Sequence, residues 1–377
     1  MTSSTPFAFT TGLLKPQTAL EPDFRFTVTH KIGRGQFAEV YYARDRASDD
    51  ATLNACAIKI ESAPRTCARE AKVMRALHGK KHFCKLLSES SHEGKPYIAM
   101  ELVGETVAEA RSRRANGRLS LATASALAIA MIEALETLHN EGYVHRDIKP
   151  GNVCVGVGDG AEREVYLIDF GLARKFVDDD GNAIPERKDA TFRGTTTYAS
   201  VYAHEGKEQS ARDDLFSTLY VIAEAIEGVL PWKAEGATLS KPEIAEMKRA
   251  CLSAPSRLFT TMECPEAVDS FARIIRTLKY GEKPNYAALK APFERALVDG
   301  GPQPLDWEIP APASAPVVVP VTSNSPVPME EGTDGGNAHG GGRRGGVVRS
   351  GRRERRERRD QASARRAAAR RGGDGGR

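Results

Sequence analysis

Cysteine is sparse and unpatterned in this chain. The six cysteines, at positions 56, 67, 84, 154, 251 and 264, form no CxxC pair and show no metal-ligand spacing with histidine. A disulfide scaffold and a structural zinc module are therefore not expected, and reduced buried thiols in an intracellular protein are. No basic stretch followed by an apolar one opens the chain, so no secretory signal is expected. No uninterrupted apolar run approaches the length of a membrane span. The most apolar helical pattern, 121–138, carries Thr123, Ser125, Glu133, Glu136 and Thr137, which suits a core helix. The expected setting is the cytoplasm, the nucleus or both, without a membrane partner.

What is present is length enough for two lobes and a tail: 377 residues, 40% of them apolar. The overall charge of +4 conceals an asymmetry. Residues 343–377 hold fourteen arginines against four acids, a net +10, so the preceding 342 residues carry −6. A mildly acidic body is joined to a strongly basic end.

The body is organised around His145-Arg146-Asp147-Ile148-Lys149-Pro150-Gly151-Asn152. Upstream, Leu121, Ala124, Ala128, Met131, Leu135 and Leu138 recur at gaps of three and four, so a buried helix delivers this loop. Downstream, Val153, Val155 and Val157, then Val165 to Ile168, read as two short strands ending at Asp169-Phe170-Gly171. Nearer the start, Phe24, Phe26 and Val28 alternate with polar residues up to Ile32, ahead of Gly33-Arg34-Gly35-Gln36-Phe37-Ala38-Glu39-Val40. A glycine turn between strands lets backbone N–H groups approach a phosphate closely, because no Cβ intervenes. A third strand, 53–62, carries Ala57-Ile58-Lys59, and a helical pattern from Thr66 to His78 offers Glu70 as a partner for that lysine. Strands are expected at 83–88 and 96–103, and helices at 211–228, 241–252, 265–279 and 285–297. Gly228 and Pro231-Trp232 supply the stop signal for the first of these.

The octet at 145–152 followed by Asp-Phe-Gly resembles the signature of protein kinases. That resemblance implies an α+β, bilobal fold, with a small β-rich lobe over about 24–103 and a larger α-rich lobe over about 104–300. It also implies ATP and Mg²⁺ as cofactors, and protein substrates. Asp147 would accept the acceptor hydroxyl's proton, Lys149 would offset charge on the γ-phosphate, and Asn152 with Asp169 would hold the metal. Gly33 and Gly35 would cover the phosphates, with Ile32, Val40 and Ala57 around the nucleotide and Lys59 paired to Glu70. Met100 would guard the back of the adenine pocket, and Glu101 to Gly104, Val103 included, would form the hinge. His145, Arg146, Phe170, Gly171 and Asp214 would support the loop. The third glycine of the kinase pattern is Ala38 here, a stiffer flap.

At 192–232 the resemblance narrows. The Ala-Pro-Glu of most protein kinases is missing, and Gly194-Thr195, Tyr198-Ala199-Ser200, His204, Asp213-Asp214-Leu215 and Leu230-Pro231-Trp232 stand in this region. This arrangement resembles the casein kinase I group. Phe192-Arg193-Gly194-Thr195 with Val201 and Ala203-His204 leans toward its tau-tubulin kinase branch. The similarity runs over roughly 25–297 and includes Lys283-Pro284-Asn285-Tyr286. It implies a monomeric serine/threonine kinase, active without activation-loop phosphorylation, in which Thr195 bonds near Asp147. One departure is Thr197, where the group usually places an arginine that binds a phosphorylated or acidic substrate residue. Arg193, Lys207 and Arg212 are the candidates to compensate, and a weaker preference for primed substrates is expected.

The ends read differently. Residues 1–23 show no periodicity and are expected to be a flexible leader. Residues 301–342 are a Pro/Ala-rich and then Gly-rich linker, and 343–377 an Arg/Gly-rich tail expected to be disordered. The tail's expected partners are nucleic-acid backbones or acidic proteins, with a nuclear import signal and a merely solubilising segment as alternatives. Two other classes stay open for the whole chain: a pseudokinase scaffold, and an RNA-associated protein using this tail.

Overall fold

A computed structural model describes residues 12–35, 37–47, 54–157, 163–178, 180–187, 190–234, 236, 238–301 and 303–309. The first eleven residues of the expected leader, the linker from residue 310 on and the arginine-rich tail lie outside them, as do Gln36, Leu53 and Asp179.

Alternating apolar residues near the N-terminus pair into an antiparallel sheet. Its strands are β1 (Phe26–Arg34), β2 (Ala38–Asp45), β3 (Ala55–Glu61), β4 (Leu86–His92) and β5 (Lys95–Glu101), in the order β1-β2-β3-β5-β4. The register sets Gly33 opposite Val40, Val40 opposite Lys59 and Lys59 opposite Ile98, one continuous row across four strands. The next row brings Ala57 opposite Met100. Because side chains alternate along a strand, Ala57 and Lys59 share one face. The other face is apolar, with Tyr41, Ala43, Ile58, Ile60, Tyr97 and Ala99 buried.

That apolar face corrects the expectation of a flexible leader through residue 23. Leu14 and Leu20 are buried on it. The segment is stitched to β1 by Gln17 N to Val28 O at 2.8 Å, Val28 N to Thr18 O at 2.9 Å and Leu20 N to Phe26 O at 2.9 Å. Glu39 and Tyr41 of β2 hold it as well, Leu13 N donating to Glu39 Oε2 at 2.6 Å and Leu14 N to Tyr41 OH at 3.0 Å. Two anchor leucines are too few to show a period, yet removing both from water is enough to fix a short strap.

Helix α1 (Cys67–Ala76) interrupts the sheet between β3 and β4. Its first turn has no cap from Thr66. Instead the carboxylate of Glu61, at the end of β3, accepts Arg65 N and Thr66 N at 3.0 Å and Cys67 N at 3.2 Å. Lys59 and Glu61 are two residues apart on one strand, so the strand that carries the lysine also seats the helix that carries Glu70.

The helical lobe contains α2 (Val107–Ser112), α3 (Leu121–Asn140), α4 (Val201–His204), α5 (Ala211–Glu227), α6 (Lys241–Ser253), α7 (Glu266–Ile275) and α8 (Tyr286–Gly300). The short strands β6 (Tyr143–Val144), β7 (Val153–Val155), β8 (Val165–Leu167) and β9 (Arg174–Lys175) pair as β6 with β9 and β7 with β8. By length and composition α3 could cross a membrane. Its Leu127, Ala128, Ile132, Leu135 and Leu138 are nevertheless fully buried in the core. Helix α5 is buried along its whole length and stops at Gly228, whose φ of 91° ends it as the sequence indicates.

The lobe also extends past the expected boundary at 300. Leu305 is buried, Asp306 Oδ2 accepts Ser120 N at 2.6 Å, and Asp306 N donates to Thr123 Oγ1 at 2.9 Å. The linker's first residues therefore complete the N-terminal cap of α3, a long-range contact that composition alone does not reveal.

Candidate active site

The loop after β6 is held from below by one carboxylate. Asp214, in the first turn of α5, accepts His145 N at 2.7 Å through Oδ2 and Arg146 N at 2.9 Å through Oδ1. His139 of α3 adds a third contact, Nε2 to Asp214 Oδ2 at 3.0 Å. Burial would raise the pKa of Asp214, but His139 and the backbone donors hold it below the usual carboxylate value. Arg146 takes a φ of 69° to receive this support.

His145 then joins the loop to the Asp169-Phe170-Gly171 turn. Its Nε2 donates to Ile168 O at 3.0 Å, and Nδ1 accepts from Asp147 N at 3.3 Å, the tautomer being assigned from those partners. The ring also packs on Phe170, centroid to centroid 5.3 Å, and Phe170 meets Phe83 at 6.0 Å. Ile168 N donates to Asn152 O at 3.0 Å, so Asn152 and Asp169 are tied through one peptide. Arg146 Nε and Arg69 Nη1 donate to Leu172 O and Gly171 O, both at 2.8 Å.

Around Asp147 the geometry is dense. Thr195 Oγ1 donates to Asp147 Oδ1 at 2.7 Å, Lys149 Nζ to Oδ2 at 2.8 Å, and Asn152 Nδ2 to the Asp147 carbonyl at 2.9 Å. Lys149 Nζ is also 3.4 Å from Thr195 Oγ1. One carboxylate is thus oriented by a hydroxyl and an ammonium, with the Asn152 amide on the residue's backbone carbonyl and 3.3 Å from its Oδ2, a set suited to holding a base beside an incoming hydroxyl.

The second cluster joins the sheet to the helical lobe. Lys59 Nζ lies 2.7 Å from Glu70 Oε2 and 2.7 Å from Asp169 Oδ1. Burial alone would depress the lysine, but Asp169 and Glu70 together hold it above its ordinary value. Asp169 is the converse: burial works to raise it, and Lys59 keeps it well below the usual carboxylate range. Glu70, deeper and only 2% exposed, is raised by burial more than Lys59 lowers it. Asp169 keeps 42% of its side chain exposed, so it is the carboxylate of the pair that a ligand can reach.

Among the described residues no group of three or more His, Cys, Asp and Glu could hold a metal alone. Asp169 and Asn152 offer one carboxylate and one amide, a sparse oxygen set. It fits a hard cation that keeps water and takes further ligands from phosphates, as Mg²⁺ does.

Of the remaining sequence-derived positions, Gly33, Val40, Ala57, Lys59 and Met100 lie on adjacent rows of the sheet. Gly35 N donates to Ala38 O at 2.7 Å, closing the glycine turn. Ile32 is 44% exposed at its rim. Glu101 N donates to Lys85 O at 3.0 Å, and Gly104 N to Val155 O at 2.8 Å, so the segment containing Val103 bridges sheet and lobe. Arg193 is not drawn into the cluster through its side chain. The residue is exposed, and among the described residues its carbonyl accepts from Gln209 Nε2 at 3.1 Å. Sequence reasoning missed Glu61, His139, Glu208 and Lys248, and read Trp232 only as part of a helix stop and a family motif; these residues meet partners 5, 75, 21, 52 and 35 residues away, respectively, which no short motif records.

Comparison with known proteins agrees with this geometry. The protein kinase domain matches residues 26–279. A probable serine/threonine-protein kinase of Dictyostelium discoideum is 33% identical over 288 residues, 76% of this chain and 57% of that protein. The serine/threonine-protein kinase spe-6 of Caenorhabditis elegans is 32% identical over 76% of each chain. A probable casein kinase I homolog of Encephalitozoon cuniculi is 30% identical over 72% of this chain and 84% of its own length. The chain thus spans little more than half of the first relative and about three-quarters or more of the other two. It belongs to the protein kinase family, and within that family it is casein kinase I-like.

Proposed function

We propose that this chain transfers the γ-phosphate of ATP to serine and threonine hydroxyls of protein substrates. The observation that carries this reading is Asp147, fixed at 2.7 to 2.8 Å by Thr195 and Lys149 beside the Lys59–Glu70–Asp169 cluster. Asp147 takes the proton of the acceptor hydroxyl as its oxygen forms a bond to the γ-phosphorus and the bond to the leaving nucleotide breaks. Lys149, within reach of both Asp147 and Thr195, offsets negative charge at the reacting oxygens. Lys59 holds the α- and β-phosphates, and Glu70 holds Lys59. Asp169 and Asn152 would hold Mg²⁺, which would neutralise phosphate charge.

A positional-scanning peptide array with wild type, Asp169→Ala and Asp147→Asn tests this. Serine and threonine labelling by the wild type, lost in Asp169→Ala and lowered roughly 10² to 10⁴-fold in Asp147→Asn, is expected. Unchanged labelling by either variant contradicts the assignment.

We further read the enzyme as active as made. The support is Glu208, a buried carboxylate on which Arg187 and Arg174 close, Arg174 at 3.4 Å. Arg146, pushed down to about 10 by burial near Arg174, gains from the same carboxylate. A fixed glutamate thus supplies the negative charge that a phosphate would otherwise bring to these arginines. Phosphatase treatment should leave turnover unchanged, and its loss would count against this reading.

The tau-tubulin-like pattern is the finer family placement we favour, with a monomer inside the cell. Its cysteines are free thiols, five of them buried. The arginine-rich tail is read as a docking segment for nucleic-acid backbones or acidic proteins. Truncation after residue 309 should abolish salt-dependent RNA binding and leave peptide phosphorylation intact. Retained binding would remove this role.

A further inference from the structure

Lys248 is fully buried and belongs to none of the clusters above. It projects from α6, and its Nζ donates to Thr196 O at 2.8 Å and Ala199 O at 2.6 Å. His204 Nε2 lies 3.2 Å away, and the rings of Tyr220 and Trp232 are 5.0 and 5.1 Å from Nζ. Trp232 itself donates from Nε1 to Thr197 O at 2.9 Å. Three carbonyls of one short stretch, those of residues 196, 197 and 199, are therefore turned inward onto one amine and one indole.

This arrangement is costly. Among the described residues none of the partners of the Lys248 amine is a carboxylate. Burial pushes its amine down to about 6 and the His204 imidazole down to about 4. A methionine of similar length would fill the space without that penalty. What methionine lacks is N–H donors, and without them the buried Ala199 carbonyl loses its partner and the Thr196 carbonyl is left to His204 alone.

The stretch so anchored begins next to Thr195, the residue whose hydroxyl bonds Asp147 at 2.7 Å. On the other side Gly194, with φ 101°, runs against Arg146 O. Displacing the 196–199 carbonyls therefore moves Thr195 relative to Asp147. We propose that Lys248 is a positioning residue for phosphoryl transfer, fixing Thr195 against Asp147 through the carbonyls of Thr196 and Ala199, with Trp232 as the second tie. This rests on the function proposed above, in which Asp147 takes the acceptor's proton.

A double-mutant cycle on the full chain tests it. Lys248→Met, Thr195→Val and the pair are compared for kcat and KM with a serine peptide, and for affinity toward a fluorescent ATP analogue with Mg²⁺. Lys248→Met is expected to lower kcat about tenfold or more, with nucleotide affinity changed less than about twofold. In the Thr195→Val background the same change should cost less than about threefold, because the contact it serves is already gone. Trp232→Phe, which keeps an aromatic ring but removes the Thr197 donor, should show the same pattern with a smaller loss. It decides the matter if Lys248→Met does not fold.

Unchanged turnover, losses that multiply fully with Thr195→Val, or nucleotide affinity falling in step with kcat would each overturn the proposal. The last outcome would mark Lys248 as a general packing residue. A wild-type preparation that binds nucleotide but labels no peptide would instead refute the proposed function.

Discussion

Lys59 Nζ and Asp169 Oδ1 meet at 2.7 Å across 110 residues of chain, and Glu70 takes the other side of the same ammonium. One cation is therefore shared by two carboxylates with different tasks. Asp169 faces outward and Glu70 is sealed in.

Replacing Lys59 by Met should lower kcat/KM about 10²-fold or more, since phosphate charge loses its fixed partner. Glu70→Gln should cost less, about tenfold, because Asp169 still orients the lysine. Steady-state kinetics at varied ATP separates the two. Lys59→Met also leaves Glu70 buried without a cation, so its folded pKa rises further above the unfolded value. The variant's stability should consequently fall as pH rises through that window, and thermal melts from pH 5 to 8 read this directly.

Gly194→Ala should cripple turnover while leaving the nucleotide side intact. Residue 194 has a φ of 101°, and a Cβ there would lie 2.4 Å from the carbonyl oxygen of Arg146. The neighbour is backbone of the catalytic loop, which cannot move without shifting Asp147. A fall in kcat of about 10² with unchanged ATP-analogue affinity is expected, alongside roughly 1–3 kcal/mol of lost stability from backbone strain. Kinetics and urea denaturation check both parts.

Thr197 lacks the charge to recognise a phosphorylated or acidic residue already on a substrate. Its carbonyl is fixed by Trp232, so a longer side chain at 197 can be introduced without freeing the backbone. Thr197→Arg should raise the preference for a primed over an unprimed peptide about tenfold, the scale of one charge-assisted hydrogen bond. The ratio of kcat/KM for a matched peptide pair measures it, and an unaltered ratio would assign anion recognition elsewhere.

The His204 imidazole is held down to about 4, by burial first and then by Lys248. In the unfolded chain it binds a proton near its ordinary value of 6.5. Between those values the unfolded state carries the extra proton, so the His204 contribution to stability is fully present above about 6.5 and is lost as pH falls toward 4. His204→Gln should flatten this dependence, by an amount on the order of 1–3 kcal/mol. Thermal melts of both proteins at pH 7 and pH 5 report it.

The parts that were readable are those written in consecutive residues. The octet at 145–152, the Asp-Phe-Gly turn, the glycine turn and the Ala-Ile-Lys strand are local, and their periodicities fixed α3, β3 and α5 to within a few residues of their ends. The strap at residues 12–20 was misread because Leu14 and Leu20 have no repeat to announce them. Their burial depends on an apolar sheet face assembled from β1, β2, β3 and β5. The extension to Leu305 and Asp306 was missed for the same reason, its partners Ser120 and Thr123 lying more than 180 residues upstream.

Residue chemistry was thus set by the sequence alone: an acid, a lysine and an amide at fixed offsets in one loop, a lysine on an apolar strand, an acid before Phe-Gly. Tertiary structure decided which of them touch. Lys59 reaches Asp169 only because the antiparallel register turns it to the inner face of the sheet and Glu61 seats α1 beside it. Asp147 is aimed only because Asp214 anchors the loop from α5. Lys248, unremarkable as one of many lysines in the sequence, became a buried hub when α6 closed under residues 196–199. Covalent neighbours fix short distances along the chain, whereas distances between remote segments are settled only by how their apolar surfaces pack.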